Sequence, residues 1–147
     1  IYISKKYTAM EKALVPDFFA AAWELLCFAA SIGWELRIQR EIPTKADDSA
    51  RSIKMDKPAR GDALMADLIG VLEAVTGEGE DQGQQALLAL SSESYSERCR
   101  KLNTYAHGGF AYIEQLKQQA GTFRDTVEKI IADGDPDPEV LAIGIEN

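Results

Sequence analysis

The chain has 147 residues, of which 46% are hydrophobic and 27% charged, and its formal net charge is −8. This balance is typical of one globular domain spanning residues 1–147 and excludes a disordered chain. The acidity excludes non-specific attraction of the whole molecule to a phosphate backbone, so any nucleic-acid contact must be local.

The first predicted elements are short. Residues 1–3 (Ile-Tyr-Ile) alternate in a way that permits a short strand. Residues 8–11 (Thr-Ala-Met-Glu) fit the pattern of a helix-capping hydroxyl followed by Glu three residues later. Met10 and Leu14 would give this short helix an apolar face, and Pro16 is expected to end it.

The most hydrophobic stretch covers residues 18–34 and reads FFAAAWELLCFAASIGW. As a helix it would span about 25 Å, which is short of the roughly 30 Å hydrocarbon core of a bilayer. Glu24 near its middle would cost a few kcal/mol in lipid. We therefore predict the central buried helix of a bundle, starting at Pro16-Asp17, with Gly33 near its end.

Residues 37–61 are predicted to be a long loop or a short β excursion, because they contain two prolines and few apolar residues. Seven basic residues against four acidic ones give residues 37–60 a charge of +3, which leaves −11 on the rest. One interpretation is a solvated loop of mixed charge. The sharper hypothesis is an electropositive finger that contacts a DNA backbone or an acidic partner, without base stacking since aromatic residues are absent. The contact residues would be Arg37, Arg40, Lys45, Arg51, Lys54, Lys57 and Arg60.

Helical spacing returns after this excursion. A helix is predicted from Asp62 to Val75, then an acidic linker over residues 77–83, then a second helix from about Gln84 to Leu90. A later helix has one buried face, marked by residues at steps of three and four: Tyr95, Cys99, Leu102, Tyr105 and Ala106.

Two adjacent glycines, Gly108 and Gly109, interrupt that later helix before Phe110 resumes its pattern. They cost about 2 kcal/mol relative to alanine in a helix interior, so either the helix bends here or another backbone approaches closely. We favour a close-packed helix crossing. The residues assigned structural roles are Gly33, Tyr105, His107, Gly108 and Gly109.

A last amphipathic helix is predicted from Phe123, Val127, Ile130 and Ile131, ending at Asp133-Gly134. Residues 135–147 then form an acidic and apolar tail. The expected fold is an all-α single domain, a bundle of about five helices with the basic excursion after the central helix.

Conventional catalytic and metal-binding patterns are sparse. His107 is the only histidine, and we interpret it as a hydrogen-bonding structural residue; the alternative is a Cys99–His107 pair acting in a hydrolase or nuclease. The two cysteines lack paired spacing, which predicts no disulfide and no metal site and favours a reducing compartment. The opening residues lack the order of a signal peptide, so a cytoplasmic protein without membrane contact or cofactor is expected.

Two patches carry a resemblance to a known family. They are residues 25–33 (LLCFAASIG) with Arg37 just beyond, and residues 102–109 (LNTYAHGG) leading into an apolar helix. Together with the intervening Asp67-Leu-Ile helix, the region from Leu14 to Leu116 resembles the small Dnd system-associated proteins, which accompany bacterial DNA phosphorothioation. The linker around Glu78 and the tail beyond Gly121 lie outside the matched patches.

The resemblance implies a non-enzymatic accessory protein of a DNA phosphorothioation-linked antiphage defence or restriction-modification system. Its partners would be other proteins of that complex, with DNA-backbone contact through the basic loop and a second copy of the chain as further candidates. A helical adaptor of an unrelated complex, binding through its acidic faces or its tail, remains the alternative of a different class.

Overall fold

The computed structural model of the protein describes residues 2–41, 50–52 and 95–140. Helices dominate these residues, which confirms the all-α class, and one two-stranded antiparallel sheet joins the chain start to the excursion after the central helix. The predicted helices over Asp62–Val75 and Gln84–Leu90, the linker over 77–83 and residues 141–147 of the tail lie outside the described residues. In chain order the elements are β1 (Tyr2–Ser4), a 3-10 turn (Lys5–Tyr7), α1 (Thr8–Leu14), α2 (Ala22–Leu36), β2 (Ala50–Ser52), α3 (Tyr95–Ala120) and α4 (Phe123–Asp133).

The central helix α2 begins later than predicted. Residues 16–21 form turns, and Ala21 is extended before the helix starts at Ala22. The Glu24 carboxylate accepts a hydrogen bond from the Ala20 N–H at 3.1 Å. Glu24 thus lies in the first turn, where its charge favours the helix N-terminus. This interaction fixes the start of α2, whereas the sequence predicts a start at Pro16-Asp17 with Glu24 near the middle of the helix.

Helix α2 buries one side against α3, and its buried residues are Leu25, Leu26, Ala29, Ala30, Ile32 and Gly33. Phe28 and Trp34 are half-buried, and Ser31 and Glu35 are exposed. Of the helices in the described ranges, none is both long and apolar enough to cross a membrane.

Helix α3 continues through its two glycines without interruption, and the α2 backbone comes very close to the second of them, Gly109. A Cβ atom at Gly109 would lie 1.8 Å from the Ala29 carbonyl oxygen. A Cβ atom at Gly33 would lie 1.9 Å from the Tyr105 carbonyl oxygen. Real Cβ atoms do not approach oxygen this closely, so the crossing needs glycine on both helices.

The first turns differ from the predicted capping box. The Thr8 hydroxyl donates to the Lys5 carbonyl at 2.7 Å, so it closes the 3-10 turn and does not cap α1. The Ser4 hydroxyl instead accepts the Lys6 N–H at 3.3 Å at the start of that turn. Met10 and Leu14 are buried as predicted.

Helix α4 has the predicted bounds. The Thr122 hydroxyl accepts the Asp125 N–H at 3.0 Å, which caps its N-terminus. Ile131 is 56% exposed, however, and Thr126 takes the buried position beside Val127. The Thr126 hydroxyl donates to the Thr122 carbonyl at 2.6 Å, so its burial leaves no polar atom unsatisfied.

Candidate functional site

His107 lies on α3 with 2% of its surface exposed, and both of its ring nitrogens form hydrogen bonds with backbone groups of the chain. Its Nε2 accepts the Ser4 N–H at 3.0 Å. Its Nδ1 lies 2.7 Å from the Asn103 carbonyl oxygen, an atom that can only accept. His107 is therefore neutral with its proton on Nδ1.

Burial lowers the pKa of His107 to about 4, an effect that its bond to the Asn103 carbonyl only partly offsets. Near neutral pH the ring is uncharged, as its two hydrogen bonds require. The lone pair that a general base would use is already taken up by Ser4.

The Cys99–His107 pair has little geometric support. The two lie eight positions apart on one continuous helix, which is an axial rise of about 12 Å. Direct proton transfer needs a heavy-atom separation of roughly 3 Å. Because both nitrogens of His107 are also engaged, this geometry argues against the hydrolase alternative.

Asn103 is the second residue that binds β1, and it was not among the residues predicted from the sequence. Its Oδ1 accepts the Tyr2 N–H at 3.1 Å, one helical turn before the His107 bond to Ser4. Alternate strand residues point their N–H groups to the same edge about 6.6 Å apart, which matches the 6 Å rise over four helical residues. The sequence shows only that two polar residues lie one helical turn apart, beside the buried apolar residues Leu102, Ala106 and Phe110.

A cleft of about 460 Å³ opens beside His107, and we call it the charged cleft. One wall is α3, and the rest of the lining comes from Ser4, Lys6 and Tyr7 and from residues 40–41. The ring of Tyr7 packs 5.1 Å from Phe110 and 5.9 Å from His107, which gives the cleft a rigid aromatic floor. The cleft is lined by Ser4, Lys6, Tyr7, Arg40, Glu41, His107, Ala111, Glu114, Gln115 and Gln118.

Charges of both signs surround this floor. Burial raises the pKa of Tyr7, the Glu114 carboxylate raises it further, and the Arg40 guanidinium lowers it. Lys6 lies with its Nζ 5.8 Å from the Tyr7 ring centroid. The lining therefore carries two cations and two carboxylates, counting Glu41.

The basic excursion begins at a left-handed helix end. Arg37 has φ 57° and follows the last turn of α2. The Ile38 N–H donates to the Gly33 carbonyl at 2.8 Å and the Arg37 N–H to the Trp34 carbonyl at 3.1 Å, a Schellman motif. The Arg37 guanidinium is exposed and stacks 3.9 Å from the Trp34 ring centroid.

The next residues are fixed on α3. The Arg40 N–H donates to the Thr104 carbonyl at 2.9 Å, and the Gln39 amide donates to the Thr104 hydroxyl at 3.2 Å. A Cβ atom at Gly108 would lie 2.1 Å from the Ile38 carbonyl oxygen. This glycine therefore lets the backbone of the excursion, rather than that of α2, pack closely on α3. Arg40 itself is exposed.

The other predicted contact residues are only partly covered. Arg51 lies in β2 and pairs with Ile3, and its side chain is outside the described part. Lys45, Lys54, Lys57 and Arg60 lie outside the described residues altogether. The structure thus places Arg37 and Arg40 at the start of the excursion and leaves the remaining contacts as predictions.

Across residues 2–41, 50–52 and 95–140, no group of three histidine, cysteine or carboxylate side chains is arranged to hold a metal ion. Cys27 and Cys99 are both half-buried thiols. The acidic Asp133-Gly-Asp-Pro-Asp segment starts at the last residue of α4 and bonds back to α3, where the Asp137 N–H donates to the Tyr112 hydroxyl at 2.9 Å.

Comparison with protein families gives one match. The family model described as DNA sulphur modification system-associated protein 4 matches residues 2–138. This match confirms the resemblance to Dnd system-associated proteins and extends beyond the region from Leu14 to Leu116 at both ends. It also takes in the linker around Glu78, which lay outside the matched patches. No curated protein matches the chain, and no solved structure does.

Proposed function

Since the chain belongs to the family of DNA sulphur modification system-associated protein 4, we propose that it is a non-enzymatic accessory protein of such a system. It acts by binding other proteins of the system and presents its basic excursion to them or to the DNA backbone. In the cell this activity would serve DNA phosphorothioation-linked defence or restriction.

The observation that carries the non-enzymatic part is the state of His107. It is the one side chain in the sequence whose ordinary pKa suits proton transfer near neutrality. Its Nε2 accepts the Ser4 N–H of β1, and its Nδ1 donates to the Asn103 carbonyl within α3. A histidine used in this way stabilises the fold and offers nothing to a substrate. This favours a binding role over a catalytic one.

The start of the excursion supports the binding part. Gln39 and Arg40 are tied to Thr104, and the Schellman motif fixes the direction in which the chain leaves α2. The exposed guanidiniums of Arg37 and Arg40 therefore stand on an ordered base, which lowers the entropy lost when a partner binds. A guanidinium stacked on Trp34 keeps its N–H edge available to phosphate or carboxylate.

The test is charge reversal within the excursion. The triple variant R51E/K54E/K57E is compared with wild type in binding to each purified protein of the same sulphur modification system and to a short DNA duplex. We expect loss of a salt-sensitive interaction with at least one of them. A matched control, K12E/K117E/K129E, applies the same change of charge to α1, α3 and α4 and should retain the interaction.

Two results would contradict the proposal. Unchanged binding of R51E/K54E/K57E, with loss only on truncation after Gly134, would support the adaptor that binds through its tail. A hydrolytic or nucleolytic activity that His107→Ala removes, in a variant as stable as wild type, would restore the enzymatic alternative.

A further inference from the structure

We propose that the charged cleft binds an extended segment of a partner protein that carries acidic and basic side chains close together. The proposal rests on the proposed function in one respect, since the partner is sought among the proteins of the sulphur modification system. It adds a second contact surface, which shares Arg40 with the start of the basic excursion and lies apart from residues 51–57 in the sequence.

The shape of the cleft fits an extended chain. Its α3 wall is a single helical stripe formed by His107, Ala111, Glu114, Gln115 and Gln118. The stripe covers eleven residue steps, an axial length of about 16 Å. A segment of about five extended residues spans this length, at roughly 3.3 Å per residue.

The charges in the cleft point to a partner of mixed charge. Among the described residues, no ion pair joins Lys6 or Arg40 to Glu41 or Glu114, although all four line one cleft. Their charges sum to zero, so a DNA backbone would gain from the two cations and lose to the two carboxylates. A segment with both signs gains from all four side chains.

The remaining lining suits a peptide main chain. The amides of Gln115 and Gln118 each donate and accept, as peptide groups require. The floor is held by the packing of Tyr7 against Phe110 and by the two hydrogen bonds of His107. A preformed floor reduces the ordering cost of binding.

The experiment reverses each sign separately. The variants K6E/R40E and E41K/E114K are tested for binding to each purified protein of the system and to a 20-bp DNA duplex. The matched controls K12E/K129E and E35K/E139K carry the same change of net charge at exposed positions outside the cleft. Thermal unfolding of all four checks that the folds are intact.

We expect both cleft variants to weaken binding of the same protein about tenfold, with both controls close to wild type. If only K6E/R40E weakens binding and E41K/E114K strengthens it, the cleft binds an anionic surface and the proposal is wrong. If that pattern is seen with the duplex, the cleft is a DNA site and the proposal is equally wrong. If wild type binds a system protein and neither cleft variant differs, only this inference fails.

Contact within the cleft is checked by photo-crosslinking. A benzoylphenylalanine at position 115 should crosslink to the protein that the charge variants identify. The same probe at Gln119, which lines a separate hollow with Tyr112 and Val140, should not. Absence of any wild-type binding to the system proteins would instead count against the proposed function itself.

Discussion

Helix α3 contacts the backbone of α2 on one side and the backbone of β1 on another, and the two contacts are of different kinds. Toward α2 it presents Gly109, and the Ala29 carbonyl lies where a side chain would otherwise be. Toward β1 it presents Asn103 and His107, whose acceptor atoms receive the N–H groups of a strand. The first contact depends on shape alone, and the second depends on hydrogen bonds and on a protonation state. The two should therefore respond to different perturbations.

The largest effect is expected from Gly109→Ala. The added methyl group would lie 1.8 Å from a backbone oxygen of α2, so the two helices would have to separate. Alanine's better helix propensity is worth only about 1 kcal/mol, and the loss of packing should exceed it, for a net destabilisation of about 4 kcal/mol. Chemical denaturation followed by circular dichroism measures this change.

Gly121→Ala is the matched control for that substitution. Gly121 has φ 97°, and a Cβ atom there would have no other atom within 4 Å, so alanine adds only backbone strain, at about 1 kcal/mol. Equal losses at the two glycines would show that the α2–α3 crossing is looser than the structure has it.

The hydrogen-bonded contact between α3 and β1 is tested by His107→Leu, which we expect to lower the free energy of unfolding by about 3 kcal/mol. Leucine fills much of the volume but leaves the Ser4 N–H buried without an acceptor. His107→Gln restores an acceptor of similar reach and should recover part of the loss. If the leucine variant proved as stable as wild type, the bond between β1 and α3 would be unimportant for stability.

Acidification should also distinguish the contact of α3 with β1 from its contact with α2. The folded-state pKa of His107 is about 4, below its ordinary value of 6.5, so on acidification the unfolded chain binds the proton first. Its contribution to stability is fully present above about pH 6.5 and is lost as the pH falls toward 4, at up to roughly 1.4 kcal/mol per pH unit. Denaturation midpoints of wild type and His107→Gln over this range measure it. The difference between them should shrink as the pH falls; a constant difference would contradict the assignment.

The sequence predicted the glycine contact between α3 and α2 better than the hydrogen-bonded contact between α3 and β1. Gly108-Gly109 in a helical pattern already indicated a close approach, because glycine has few other reasons to occur there. The bounds of α4 followed from apolar spacing and Gly134. Helix α2 starts later than Pro16-Asp17 predicts, because Glu24, expected near its middle, accepts the Ala20 N–H in the first turn.

The charged cleft could not have been predicted, since its walls come from residues far apart in the chain. Lys6, Arg40 and Glu114 meet there only because β1 and the excursion both pack on α3. No local sequence pattern indicates that these three residues lie close together. Asn103 was overlooked for the same reason, as its partner Tyr2 is 101 residues away.

A smaller effect is expected from Asn103→Ala. It removes the acceptor of the partly buried Tyr2 N–H, for a loss of about 1 kcal/mol. Asn103→Asp keeps an acceptor and serves as the control. Hydrogen exchange at the Tyr2 amide should accelerate in the alanine variant and not in the aspartate variant. Unchanged exchange in both would mean that β2 alone orders the strand.

The smallest effect is expected at Arg37, where two contributions oppose each other. Arg37→Gly relieves the left-handed backbone, worth about 1 kcal/mol, but removes the stacking on Trp34, worth roughly 0.5–1 kcal/mol. The net change should be close to zero. Arg37→Ala keeps the strain and loses the stacking, so it should be less stable than the glycine variant by about 1 kcal/mol. Denaturation of the two variants side by side measures this gap. If the glycine and alanine variants were equally stable, the alanine variant would not retain the left-handed conformation at position 37. The direction in which the basic excursion leaves α2 would then depend on the Arg37 side chain rather than on the Schellman motif.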